Sequence, residues 1–283
     1  MDAAWVHGRG ADPRLPHLRE SRVAILGCGS VGAPVALALA QAGVGEFALM
    51  DPEVVVPANI GRHPLGADAV GANKAEALAR AMRLRLPHIV VDAYARRWDD
   101  VAREQPEILD RCDAIVSAIG EWSAEGALNE WHVSRNRRPG VIYGWTEAHA
   151  CAGHAVAICE TGGCLQCGLS PFGEPLLRVT HWPQGTTIRQ EPACGAAYQP
   201  YGPIELAYVT TLVADLALDC LLDNITVSTE RIWAGRRSLL EIAGGEWATE
   251  WLTFAAGRAQ GGFVEERIWP VLEGCGECGF GQS

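Results

Sequence analysis

With 283 residues, 48% of them hydrophobic and 20% charged, the chain is long enough to bury a full core as one large domain or two small ones. Its net charge of -11 excludes the basic face that a backbone-tracking nucleic-acid binder needs, and no uninterrupted apolar run is long enough to span a membrane. The start, Met1-Asp2-Ala3-Ala4-Trp5, lacks the basic and apolar regions of a signal peptide, and ten cysteines without one suit a reducing, cytoplasmic setting in which thiols serve metals or catalysis.

In chain order, Val23-Ala24-Ile25-Leu26 is a short apolar run that ends in a glycine-rich turn, Gly27-Cys28-Gly29-Ser30-Val31-Gly32. Residues 31–42 then read as a buried, alanine-rich helix, and 46–50 as a second strand closed by Asp51-Pro52. A polar loop leads to an amphipathic helix over 69–86, stopped by Pro87, and further strands are expected at 89–91, 113–117 and 141–143. Strands separated by helical segments predict an α/β, Rossmann-like fold: a mostly parallel sheet with helices on both faces. Ligands of such sheets bind at the carboxyl ends of the strands, where the strand order reverses. After about Cys151 the alternation stops. Residues 164–202 are rich in Gly, Pro and polar side chains, and an irregular segment that long is usually functional or mobile. Residues 203–222 read as one long helix with Gly202 as cap and Pro203 in its first turn. Trp233, Trp247, Trp251 and Trp269 are expected to pack a small C-terminal sheet. With no repeat and no low-complexity linker, the chain reads as a single domain over 1–283, a first half (1–150) and an elaborated second half (151–283).

Gly27, Gly29 and Gly32 have dinucleotide-binding spacing: the first permits the turn, the second lets phosphate approach the backbone, and the third lets helix pack on strand. Amides at a helix N-terminus favour an anion there, and Asp51 at the end of the second strand can grip ribose hydroxyls. To this point NAD and ATP fit equally. Asn59-Ile60-Gly61-Arg62 in the next loop and Lys74 at the following helix separate them. Phosphoryl and nucleotidyl transfer need cations around the triphosphate, because charge moves in the transition state, whereas hydride transfer does not. Taken singly, Arg62 and Lys74 read as solvated surface cations; placed together over a glycine turn, they point to phosphate.

Two Cys-x-x-Cys pairs, Cys164/Cys167 and Cys275/Cys278, each stand between glycines. Four thiolates in two such knuckles suit tetrahedral zinc (Zn2+) in a structural site, and neither pair opens a helix beside a strand as a redox pair would. Cys112, Cys151, Cys159 and Cys220 lie in apolar contexts and read as core, and Cys28 as packing. His149 and His154 flank Cys151 in a strand-like stretch with ordinary structural roles. Cys194, in Glu191-Pro192-Ala193-Cys194-Gly195, lies in the irregular segment beside glycine, where an accessible thiolate is a competent nucleophile.

The succession Gly-x-Gly-x-x-Gly, Asp-Pro-Glu, Asn-x-x-Arg and Asn73-Lys74 resembles the ThiF/MoeB/HesA superfamily of ubiquitin-activating-like adenylyltransferases. The string Asn59-Ile60-Gly61-Arg62-His63-Pro64-Leu65-Gly66 looks closest to bacterial members of antiphage conjugation systems, some of them fused to a ubiquitin-conjugating-like domain. The resemblance runs from about Arg22 to Cys278. It implies a homodimeric enzyme in which ATP and magnesium (Mg2+) activate, as an acyl-adenylate, the C-terminal carboxylate of a ubiquitin-like protein, a signalling nucleotidyltransferase or a peptide. By match to the motifs, Asp51 would bind ribose, and Asn59, Arg62 and Lys74 would hold the phosphates. Cys194 would accept the acyl group as a thioester, and a conjugating domain would act upstream or in trans. The chain departs from the pattern twice. Gly120 stands where the family has a magnesium-binding aspartate, leaving Glu121 as substitute, and the usual N-terminal Arg-x-x-Arg is absent, leaving Arg14 to reach across the dimer. A peptide-tailoring or sulfur-carrier adenylyltransferase that dispenses with Cys194 is the second reading, and a non-catalytic nucleotide sensor the third.

Overall fold

The computed structural model describes residues 3–7, 12–190 and 197–279. Two short helices, α1 (Ala3–Val6) and α2 (Leu15–Glu20), lead into β1 (Arg22–Leu26), a strand buried along its whole length. The glycine turn passes the chain to α3 (Gly32–Ala42) and then to β2 (Glu46–Met50). The amphipathic helix α4 (Lys74–Arg85) starts later than its periodicity suggests. Gly71 sits at φ 87°, and the Asn73 side chain accepts the Glu76 N–H at 3.1 Å, an N-cap that sets Lys74 as the first helical residue. There follow β3 (Val90–Tyr94), α5 (Trp98–Glu104), α6 (Glu107–Asp110), β4 (Ala114–Ser117), α7 (Trp122–Ser134) and β5 (Gly140–Thr146).

The second half brings β6 (Ala152–Ile158), the two-residue strands β7 (Thr180–His181), β8 (Arg189–Gln190) and β9 (Ala197–Tyr198), and the long helix α8 (Pro203–Leu221). It closes with β10 (Thr229–Arg236), α9 (Arg237–Ala243), β11 (Glu246–Trp247), α10 (Thr249–Phe254) and β12 (Gly261–Ile268).

One eight-stranded sheet runs in the order β12-β10-β6-β5-β4-β1-β2-β3. β5, β4, β1, β2 and β3 are mutually parallel, while β6, β10 and β12 join antiparallel. The order reverses beside β1, so the loops after β1 and β4 meet at the switch point. Alternation along the strands divides the core in two. Val23, Ile25, Phe47, Leu49 and Val116 pack under α3, α4 and α8 on one face. Ala24, Leu26, Ala48, Met50 and Ile115 pack under α5, α6 and α7 on the other.

The expected small C-terminal sheet is not what the last third builds. β10 and β12 widen the main sheet instead, because β6 exposes a second edge for them. Trp233 on β10 stacks on Tyr208 of α8 at 4.8 Å, Trp247 and Trp251 fill a satellite core, and Trp269 packs under α7. α8 lies close on β5 and β6 through two glycines: a Cβ on Gly144 would stand 2.4 Å from Val213, and one on Gly153 2.3 Å from Val209. Among the described residues no helix is long and apolar enough to cross a membrane.

Candidate nucleotide site and cysteine cluster

The three motif glycines have different surroundings. Gly27 holds φ 86°, and a Cβ there would lie 2.7 Å from the Ala118 carbonyl oxygen; at Gly32 a Cβ would strike the Gly27 carbonyl at 1.9 Å. Gly29 has nothing within 4 Å of a built Cβ, so its backbone faces open space. Asp51 locks the turn to the end of β2. Its Oδ2 accepts the Cys28 N–H at 2.7 Å and its Oδ1 the Glu53 N–H at 2.8 Å, while burial raises its pKa above the usual carboxylate range. His63 braces the turn from the far side. Its Nδ1 accepts the Leu65 N–H at 3.2 Å, so its Nε2 carries the proton and donates to the Cys28 carbonyl at 2.7 Å. Burial lowers the His63 pKa, which favours this neutral form.

Two cavities adjoin over this turn. The first, about 320 Å³, is lined by Gly27, Asp51, Arg97, Trp98 and Glu121 among others. The second, about 510 Å³, is lined by Ser30, Asn59, Arg62, Trp145, Thr146 and Tyr201 among others. Gly29, Glu53, Lys74, Ala118 and Ile119 belong to both. Lys74, buried at the start of α4, pairs with the Glu53 carboxylate at 2.5 Å. Arg62 donates to the Ala58 carbonyl at 2.8 Å and lies 5.4 Å from the ring centroid of Tyr201, whose hydroxyl is 2.9 Å from Ser30 Oγ. Asn59 Oδ1 accepts the Val56 N–H at 3.0 Å and so shapes the loop that carries Arg62.

Gly27, Gly29, Asp51, Asn59, Arg62 and Lys74 are therefore brought together, with Gly32 directly behind them. Glu121 lines the first cavity, hydrogen-bonded by Ser123 Oγ at 2.5 Å, and not the second. Arg14 pairs with Asp12 at 2.8 Å just before α2, ahead of β1 and so at the opposite end of the sheet from this chain's own cavities. Cys194 lies outside the described residues. Arg97, Trp98, Thr146 and Tyr201 were not legible as site residues. The first two follow the end of β3 and Thr146 ends β5, so the rule that ligands bind at strand carboxyl ends points to them once the strands are known.

Glu125 was missed as well. Its carboxylate turns in under the loop after β4, and burial pushes its pKa up to about 7 against the hydrogen bonds it accepts.

The two cysteine pairs converge. Cys164 Sγ lies 3.9 Å from Cys167 Sγ and 3.8 Å from Cys275 Sγ, and Cys167 Sγ is 3.7 Å from Cys278 Sγ. Four sulfurs bound at tetrahedral angles, with zinc–sulfur bonds of about 2.3 Å, stand about 3.8 Å apart. The donor set fits zinc in both chemistry and spacing, and all four ligand atoms lie within 4.8 Å of one another. Around them, Asn129 Oδ1 accepts the Leu165 N–H at 2.9 Å and Trp269 Nε1 donates to the Cys164 carbonyl at 2.9 Å, fixing the first knuckle against α7.

Comparison with known proteins agrees with this geometry. The chain is 30% identical over 176 residues to the SAMP-activating enzyme E1 of Haloferax volcanii, covering 62% of this chain and 61% of that protein. It is 26% identical over 234 residues to the ATP-dependent ubiquitin transferase-like protein Cap2 of Escherichia coli, covering 79% of this chain and 38% of that one. The chain thus spans less than two thirds of the length of these curated relatives. Among solved structures, E. coli MccB with ATP superposes with a TM-score of 0.61 at 18% identity, over 94% of this chain and 68% of that one. MccB with MccA-N7isoASN gives 0.63 at 17%, over 94% and 69%. The ThiF family profile matches residues 9–263, and with the glycine turn, Asp51 and Lys74 assembled at the switch point the chain belongs to the ThiF family.

Proposed function

We propose that the chain is the adenylating core of an activating enzyme, which uses ATP and magnesium on the C-terminal carboxylate of a protein or peptide partner. The observation that carries this reading is the meeting of two cavities at Gly29 and Lys74. One is lined by Asp51, Arg97 and Trp98 and suits a nucleoside. The other is lined by Arg62 and Lys74, which suit the phosphates, and by Thr146 at the end of β5, beside which the partner's carboxylate would lie. The names of the activating-enzyme relatives support the same class of partner.

In this scheme a carboxylate oxygen of the partner attacks the α-phosphorus, the bond to the β-phosphate oxygen breaks, and pyrophosphate leaves. Lys74 and Arg62 stabilise the charge that gathers on the departing oxygens, and Asn59 keeps their loop in place. Magnesium, when bound, neutralises phosphate oxygens; it takes oxygen ligands, and Glu121 from the first cavity is the proposed carboxylate. The Cys194 thiolate then attacks the acyl carbon, forming a thioester and releasing AMP. The partner is a ubiquitin-like protein, and the enzyme acts in the cytoplasm as a single ThiF-type domain within a homodimer that brings Arg14 across, with a conjugating domain upstream or in trans.

The test is a mixture of the protein, ATP, magnesium and lysate of its own host. Pyrophosphate release and a thiol-labile adduct are expected. Lys74→Ala should lower pyrophosphate release on the order of 10²-fold, and Cys194→Ala should keep AMP formation and lose the adduct. Pyrophosphate release that survives Lys74→Ala unchanged would refute the site, and an adduct that persists in Cys194→Ala would refute the thioester.

A further inference from the structure

No acidic side chain stands at position 120; the carboxylate that meets this corner comes from behind. Glu125, in the first turns of α7, folds back beneath the end of β4. Its Oε1 accepts Ser117 Oγ–H at 3.2 Å and the Gly120 N–H at 3.4 Å, and the Ile119 N–H also points to the carboxylate. Ile119 and its neighbour Ala118 line both cavities, and Gly120, at φ 74°, lines the second.

This segment is packed on the glycine turn as well. The Ala118 carbonyl is the atom that a Cβ on Gly27 would strike at 2.7 Å, and the Ala118 methyl lies 3.3 Å from a Cβ built on Gly32. A shift of residues 118–120 therefore moves the turn against which phosphates would lie. The amides of Ile119 and Gly120 are turned toward Glu125. On β5, paired in register with Ser117, Tyr143 stands fully buried with a hydroxyl that has no partner, and burial first, then the Glu125 charge, push that phenol's pKa up. The carboxylate is thus held by three uncharged donors.

We propose that Glu125 is a positioning residue of the nucleotide site: its carboxylate gathers Ser117, Ile119 and Gly120 and so fixes the wall that the two cavities share. The residue touches no substrate. Hydrogen bonds to a charged acceptor are stronger than those to a neutral one, so an amide in its place keeps the shape and loses part of the hold. This inference rests on the nucleotide reading above.

The experiment compares the parent with Glu125→Gln, Glu125→Ala and Ser117→Ala. It reads the Kd for a non-hydrolysable ATP analogue with magnesium, and the hydrogen exchange of the Ile119 and Gly120 amides. A graded loss is expected: Glu125→Gln weakens nucleotide binding by roughly tenfold and Glu125→Ala by more, with Ser117→Ala between the parent and Glu125→Gln. The Ile119 and Gly120 amides should exchange faster in the same order, while the melting temperature of Glu125→Gln stays within a few degrees of the parent. Variants that bind the analogue as the parent does, with unchanged exchange at these two amides, would overturn the proposal. A parent that fails to bind the analogue overturns the nucleotide reading itself, and the amide exchange then still decides whether Glu125 holds this wall.

Discussion

The irregular stretch from Cys164 to Gly202 is fastened in a different way at each end. At its start, four sulfurs converge with the spacing of a zinc tetrathiolate, and a tryptophan and an asparagine lock the knuckle to α7. At its end, Tyr201 meets Ser30 through one hydroxyl and lies beneath the Arg62 guanidinium. Between the two, Glu147 at the end of β5 accepts the backbone N–H groups of Val179 and Thr180, each at 2.7 Å. Glu147 in turn belongs to a buried chain of charge: His154 stands 3.0 Å from Glu147 and 2.7 Å from Glu230, which pairs with Arg267 at 2.6 Å. The described fastenings differ in kind: a four-sulfur cluster at the start, charged acceptors in the middle, and a hydroxyl pair with a cation–ring contact at the end.

The largest expected effect tests the start. Elemental analysis of the purified parent is expected to find one zinc per chain, and Cys275→Ser to lose it and about 5 kcal/mol or more of stability, since structural zinc binding is itself folding free energy. A chain that keeps its melting temperature after this change would put both fastenings on one level.

The middle comes next. His154→Phe removes the cation between two buried carboxylates and should cost about 3–5 kcal/mol near neutral pH. The two glutamates hold the imidazole charged and raise its pKa to about 9 against the burial that opposes them. Its contribution is therefore fully present below the unfolded-state value near 6.5 and is lost as pH rises through about 9. Glu147, held below its usual value by His154 and Thr180 despite burial, contributes above the unfolded carboxylate range and loses that contribution as the pH falls. Melting curves from pH 6 to 10 should show an alkaline decline in the parent that His154→Phe lacks; parallel curves would remove the network from this account.

Tyr201→Phe is the smallest change. It deletes the hydroxyl that meets Ser30 and keeps the ring beneath Arg62, so denaturant midpoints should register no more than about 1 kcal/mol. A loss as large as that of Cys275→Ser would erase the difference between the two ends.

The first half was open to reading because its parallel strands are buried on both faces. Strands such as Ala24-Ile25-Leu26 and Phe47-Ala48-Leu49 appear as apolar runs, and the turn glycines and the Asn73 cap mark what lies between. The cysteine spacing carried the meeting of the four thiols across a separation of 111 residues, because two short knuckles encode their own geometry. The pairing of β6 with β10 and of β10 with β12 was not legible, since antiparallel partners so distant in the chain leave no local signal. Nor was Glu125: a glutamate early in a helix normally faces water, and only the packed fold shows this one turned beneath Gly120. The buried role of Glu230, between Thr229 and Arg231 on β10, was hidden for the same reason.

The order of synthesis gives the cysteine cluster one more consequence. β1 to β5 can pair as they leave the ribosome, yet Cys164 and Cys167 then wait as an open two-thiol chelate until Cys275 and Cys278 arrive. β6 waits with them, because its outer partner β10 also comes late. Cys275 and Cys278 follow β10 and β12, so the four thiols meet only after the strands that widen the sheet have been made, and a chain cut before β10 would lack that outer edge and keep Cys164 and Cys167 as an unfilled pair open to thiol exchange.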